Sequence, residues 1–212
     1  MTPKQQAYKT LANTIIKNLE KRNMEAFYCE NKESAATLAM DLMKDGGNVG
    51  MGGSETVIET GLLDAVKNSE HLHFIDRSLA TTHEERKSVF LETMAADYFL
   101  MSSNAITIDG ELVNIDGNAN RLACLLHGPE HVILLVGMNK VVDDIDSGIQ
   151  RIGTHAAPPN AARLNTKTPC KALGHCGDCH SDDCMCCQIV ITRHSRHKGR
   201  IKVILIGEEL GF

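Results

Sequence analysis

The sequence has no tryptophan, only three tyrosines and five phenylalanines among 212 residues. A core built on aromatic stacking is thereby excluded, and Leu, Ile, Val, Ala and Met must supply the buried surface. Long apolar runs are also missing. The longest, Val132–Val136 and Val203–Ile206, are far shorter than the roughly 20 residues a bilayer-spanning helix requires. The amphipathic, charged opening MTPKQQAYKTLANTIIKNLEKRN has no export-signal pattern. No membrane association and a cytoplasmic location are therefore expected. Excess positive charge is missing as well: 22 Lys and Arg face 27 Asp and Glu, a formal net charge of −5. Nucleic-acid binding by phosphate neutralisation is not expected. The one basic run, Arg193–Arg200, reads as a solvated hairpin tip. No internal repeat or low-complexity linker is present.

What is present is an alternation of helical and strand patterns. Helical spacing covers residues 3–22, 34–43, 56–67, 82–96, 118–126 and 143–152, with a further helical segment near 161–164. Ser54 is the natural cap of the third helix, Thr82 and Glu85 have the spacing of a capping box, and Asn118 can cap a helix start. Strand patterns cover 24–29, 48–51, 71–75, 97–102, 105–108, 111–115 and 131–137. Asp109-Gly110 marks a hairpin, and 188–192 with 200–206 reads as a second one. Alternation of this kind predicts a largely parallel sheet covered by helices. Residues 1–212 are read as one domain. Residues 154–187 are rich in Pro, Asn, Gly and Cys, and are expected to form an appendage on it.

Six of the eight cysteines fall between Cys170 and Cys187, in CKALGHCGDCHSDDCMCC. In a reducing compartment such thiols read as metal ligands before disulfides. Cys176-Gly177-Asp178-Cys179 can grip one metal, Cys170 precedes the pair, and Cys184, Cys186 and Cys187 follow it. Four sulfurs suit zinc or an iron–sulfur cluster. A redox dithiol or a disulfide staple is the alternative. His175, His180 and His194 read as solvated loop histidines, Cys29 and Cys124 as buried, inert thiols.

Three further groups suggest a small anionic ligand. Val49-Gly50-Met51-Gly52-Gly53-Ser54 joins a strand to a helix, with Glu55 and Thr56 in its first turn. Gly50, Gly52 and Gly53 would let a ligand approach the backbone, and the helix start offers free N–H groups. Neither the lysine of a Walker loop nor a dinucleotide-binding glycine spacing is present, and a tight turn capped by Ser54 explains the segment equally well. Around the Asp109-Gly110 hairpin, Asn104, Asn114, Asp116, Asn120 and Arg121 crowd the ends of apolar elements, although turn chemistry accounts for each alone. Lys140 lies just past a strand end, where open α/β sheets bind ligands. Asn160 and Arg163 are further polar candidates.

VGMGGSETVIETGL, SSNAITIDGELVNIDGNANR, VGMNKVV, HAAPPNAARLNTKTPC and IKVILIGEELGF resemble, in order, the successive blocks of the LUD-domain family, of the LutC-like lactate-utilisation type. The resemblance runs from about Gly46 onward. It implies a three-layer α/β/α sandwich similar to the sugar-phosphate isomerase and CoA-transferase superfamily. It also implies a role beside iron–sulfur partner subunits in oxidising lactate to pyruvate, with no assigned nucleophile or base to carry over. The family's cysteine pattern falls on Cys170, Cys176, Cys179 and Cys186, which would bind one metal centre within about 165–190; Cys184 and Cys187 are extra. A non-catalytic scaffold docking on iron–sulfur partners is the second reading. A transferase or ligase for acyl or phosphorylated substrates, by fold analogy, is the third.

Overall fold

The computed structural model describes all 212 residues. In chain order the helices are α1 (Pro3–Lys21), α2 (Lys32–Asp41), α3 (Glu55–Glu59), α4 (Leu62–Lys67), α5 (His83–Met94), α6 (Asn120–Leu126), α7 (Ile145–Arg151), α8 (Ala157–Arg163) and α9 (Pro169–Leu173). The strands are β1 (Glu25–Cys29), β2 (Gly47–Met51), β3 (Leu72–Phe74), β4 (Tyr98–Met101), β5 (Ala105–Thr107), β6 (Leu112–Asp116), β7 (His131–Gly137), β8 (Val141–Val142), β9 (Gln188–Thr192) and β10 (Ile201–Ile206). No helix is long and apolar enough to cross a membrane.

Six strands form one parallel sheet in the order β1-β10-β7-β4-β2-β3. Its central strands are apolar on both faces, as burial on both faces demands. Alternate residues then feed two cores. Val132, Leu134, Val136, Val203, Leu205 and Phe99 pack with Ala12, Ile15 and Leu19 of α1 and with α6. Ile133, Leu135, Ile204, Ile206 and Leu100 pack with Ala35 and Ala39 of α2 and with α3 and α4. The result is the expected helix–sheet–helix sandwich. A second sheet, β8-β5-β6-β9, turns Ile106 and Leu112 into the first core. Its other face carries Ala105 and Val113 against Ile152 and Ala156.

The structure corrects four of the expectations. The helix read over 56–67 is two helices, because Gly61 sits at φ +76 between them. Asn118 does not cap α6; the residue before that helix is Ala119, in the left-handed region with φ +59 and no side-chain cap. The final pair of strands is not a hairpin: β9 pairs antiparallel with β6, whereas β10 lies parallel between β1 and β7. The basic run therefore joins two sheets, and its last residue, Arg200, donates to the carbonyls of Cys124, Leu125 and Pro129. Finally, residues 152–163 are helical. One π turn, Ile152–Ala156, links α7 to α8, with Ala157 N–H donating to Ile152 O. Pro158 and Pro159, having no N–H, leave the carbonyls of this stretch without their usual i−4 partners, which permits the wider turn. The Asp109-Gly110 hairpin is present, with Gly110 at φ +87, and Thr82 and Glu85 form the capping box of α5.

Candidate functional site

The C-terminal ends of β2, β4 and β7 point to one side of the parallel sheet, where open α/β sheets place their ligand crevices. The segments leaving those ends are Gly52–Glu55, Ser102–Asn104 and Met138–Lys140. They wall a cavity of about 480 Å³ together with one face of the run from Ile152 to Leu164. Gly53, Ser54, Glu55, Asn104, Asp116, Asn120, Arg121, Lys140, Asn160 and Arg163 all line it. Gly50, Gly52, Thr56 and Asn114 do not, and each has another task.

Arg121 fills the floor. Its Nη1 donates to Asn114 Oδ1 at 2.8 Å and to Ser102 O at 3.4 Å. Its Nη2 donates to Asn104 Oδ1 at 3.0 Å and to Ile115 O at 2.6 Å. Nε lies 3.6 Å from Asp116 Oδ2, an oxygen with no hydrogen-bond partner of its own. Asn114, fully buried, also donates through Nδ2 to Ser103 Oγ at 3.1 Å. Both terminal nitrogens of the guanidinium are engaged twice within the fold, and Nε faces the Asp116 carboxylate. Arg121, Asn104 and Asn114 thus hold the floor rigid rather than offering free donors. Gly52 belongs to this floor too: a Cβ there would come 2.8 Å from Arg121 Cγ. Its missing side chain makes room for the arginine, not for a ligand. Gly50 likewise makes room for Thr93 and Phe99.

Gly53 differs. A Cβ there would point at Arg77 Nη2, 3.2 Å away, with Arg163 Nη2 at 4.0 Å. Two guanidinium groups therefore meet over a bare stretch of backbone. Arg163 is partly engaged, by Asn160 Oδ1 at 3.1 and 2.6 Å and by Glu55 Oε1 at 3.3 Å. The Arg77 side chain has no hydrogen bond or ion pair. Sequence reading missed Arg77, although it follows the end of the parallel strand β3, a position that carries the same signal as Lys140. Ser54 caps α3 by accepting from Val57 N–H at 3.3 Å; with only five residues, α3 adds little dipole of its own.

Lys140 is 2% exposed. Its Nζ donates to Thr56 Oγ1 at 2.8 Å and Ser102 Oγ at 3.0 Å, which is the task of Thr56.

The remaining wall is the thiol segment. Asp182, Asp183, Cys184, Met185 and Cys186 line the same cavity. The segment is pinned to the rest of the fold at two backbone points, Cys176 N–H donating to Gly153 O at 2.8 Å and Cys187 N–H to Asp116 O at 3.0 Å, while Cys184 N–H closes an internal turn on Ser181 O at 2.9 Å. All eight cysteines are free thiols, with Cys29 and Cys124 buried. Cys186 sits at the centre of the group. Burial pushes its thiol up to about 12, and the neighbouring Cys184, Cys176, Cys170 and Cys179 push the same way. Hydrogen bonds from Ser181 lower Cys179. Asp178 N–H donates to Cys176 Sγ and Cys186 N–H to Cys184 Sγ, each at 3.4 Å. The donors gather, yet no three His, Cys, Asp or Glu side chains are grouped so as to hold a metal ion.

The sequence profile of the family described as LUD domain matches residues 12–206. No curated relative matches the chain. Among solved structures, a DUF162 family protein from Deinococcus radiodurans superposes with a TM-score of 0.54 at 10% identity, covering 94% of this chain and 98% of that one; at that identity the likeness concerns the fold.

Proposed function

We propose, from the premise that this chain belongs to the LUD-domain family, that it is a lactate-utilisation component whose cavity binds a small 2-hydroxy or 2-oxo acid beside a thiol-held electron relay. The observation that carries this reading is the composition of one cavity: two guanidinium groups over Gly53 on one side, Cys184 and Cys186 on another. A carboxylate matches paired guanidinium donors in geometry and charge. Cys170, Cys176, Cys179 and Cys186 would hold the metal centre, with Cys184 able to replace Cys186. All are sulfur donors, which suits an iron–sulfur cluster, or zinc as the alternative. Four of these five thiols lie in a stretch without helix or strand, where no ladder of backbone hydrogen bonds opposes their drawing together, and metal binding would order the stretch. An iron–sulfur cluster there supplies one-electron transfer; zinc would only brace the loop. Iron–sulfur partner subunits are the expected electron acceptors, and the location is the cytoplasm.

The test is anaerobic purification with iron, sulfide and zinc analysis, combined with calorimetry of lactate and pyruvate. Stoichiometric iron and sulfide with saturable acid binding is the expected result. A colourless zinc protein that binds neither acid would instead favour a scaffold role.

A further inference from the structure

Lys140 stands apart from every other cation around the cavity. Arg121 has both terminal nitrogens hydrogen-bonded and faces Asp116, Arg163 is paired with Glu55, and Arg77 is open to the cavity. Lys140 is buried in the floor, and no carboxylate lies within ion-pair distance of its Nζ. Its two partners are hydroxyls that both donate elsewhere: Thr56 to Leu210 O at 3.3 Å and Ser102 to Ser103 O at 3.4 Å. Each hydroxyl therefore accepts from Nζ. Two N–H bonds of the amine are thereby used, which leaves either a third N–H or a lone pair. A buried ammonium without a counter-charge is costly, so the environment favours the neutral amine with its lone pair.

We infer that Lys140 is a nucleophilic amine that forms an imine with the carbonyl carbon of a 2-oxo acid bound in this cavity. The inference rests on the cavity being a small-acid site. The step balances without an oxidant. The Nζ lone pair adds to the carbonyl carbon as the C=O π bond opens and one Nζ proton passes to the oxygen, giving the carbinolamine; the second Nζ proton then leaves with the hydroxyl as water as the C=N bond forms, so both N–H bonds to Thr56 and Ser102 are given up in the imine. Amine and ketone give imine and water, and no electrons are exchanged. Thr56 and Ser102 hold Nζ in place as positioning residues, from α3 and from the end of β4.

The charged groups around the amine agree with this role. Burial above all, with Arg151 and Arg121 acting the same way and Glu59 opposing, holds the Lys140 amine down to about 7. At neutral pH, roughly a thousandfold more of this amine is neutral than of an ordinary lysine.

Reductive trapping tests the proposal. The full chain, purified anaerobically, is incubated with pyruvate and sodium cyanoborohydride, and adducts are mapped by peptide mass spectrometry across a pH series. The expected result is one reduced-pyruvate adduct concentrated on Lys140. Its rate should level off just above pH 7, while labelling of exposed lysines such as Lys4 is still climbing. Lys140→Met, whose fold is checked by circular dichroism, should lose the adduct. Adducts confined to exposed lysines would overturn the inference. If calorimetry shows that pyruvate binds while Lys140 stays unmodified, the imine falls and the cavity reading stands. If pyruvate neither binds nor labels, both fall.

Discussion

The cavity has two walls built in opposite ways. Its floor is a closed polar network in which Arg121, Asn114, Asn104 and Ser103 satisfy one another, laid against two apolar cores. The thiol wall, residues 174–187, has no helix or strand and few apolar contacts; it hangs from a few backbone hydrogen bonds. A floor of the first kind is ordered by folding itself. A wall of the second kind lacks the buried surface that would offset its conformational entropy, and depends on something else to fix it. On the proposed function, the floor would be a preformed acid site and the thiol wall a segment that metal orders, so each half should fail in its own way when disturbed.

The largest effect is expected at Arg121. Arg121→Leu leaves Asn104 and Asn114 short of a donor and Asp116 without its counter-charge. Unfolding free energy should fall by about 3–5 kcal/mol, read from urea denaturation, and a change below the error of the method would contradict the role given to the floor. Gly52→Val comes next. Its Cβ would press on Arg121 Cγ, so overpacking should cost about 1–3 kcal/mol and pyruvate affinity should be lost. A folded, unstrained variant with unchanged affinity would show that the floor does not shape the site.

A third prediction concerns pH. The Lys140 amine is lower in the folded chain, about 7, than in the unfolded one at its ordinary 10.5. Between those values the unfolded state binds more protons, so stability rises as pH increases from 7 to 10.5. The penalty is fully present below pH 7. The slope contributed by this one group is at most about 1.4 kcal/mol per pH unit. Lys140→Met should flatten it, and an identical slope in the variant would argue against a buried, depressed amine.

The smallest effect on stability is expected from the thiol wall. Cys176→Ser with Cys179→Ser should remove most bound metal and speed amide exchange over 174–187. The melting of the α/β core should hardly move. Cys29→Ser and Cys124→Ser should keep the metal. Full metal content in the double variant would end the assignment of ligands.

Much of the floor was readable in sequence because its parts are local. The apolar runs of β4, β7 and β10 announce strands buried on both faces, and Asp109-Gly110 announces the turn that returns Asn114 towards Asn104. The final strands were misread because nearness in the chain was allowed to stand for pairing. Their own patterns differ: Gln188–Thr192 alternates in burial, as in a sheet with one exposed face, whereas Ile201–Ile206 is buried throughout. That difference marks two sheets. Gly53 lines the cavity as the sequence suggested, whereas Gly50 and Gly52 stand behind it; these two were misread for another reason. A glycine reports that a side chain would not fit, but not what occupies the space, and at Gly52 the occupant is an arginine sixty-nine positions away in sequence. The gathering of thiols around Cys186 follows from the anchoring of their segment to Gly153 and Asp116, a long-range contact that spacing within the segment does not contain.

The claim that the two walls form one site is tested most directly by titrating pyruvate into the anaerobically purified, metal-loaded protein while following the visible spectrum of its metal centre. The account predicts a saturable spectral change whose midpoint matches the calorimetric dissociation constant, and which Arg77→Gln weakens together with binding. Pyruvate that binds by calorimetry yet leaves the spectrum unchanged would contradict it.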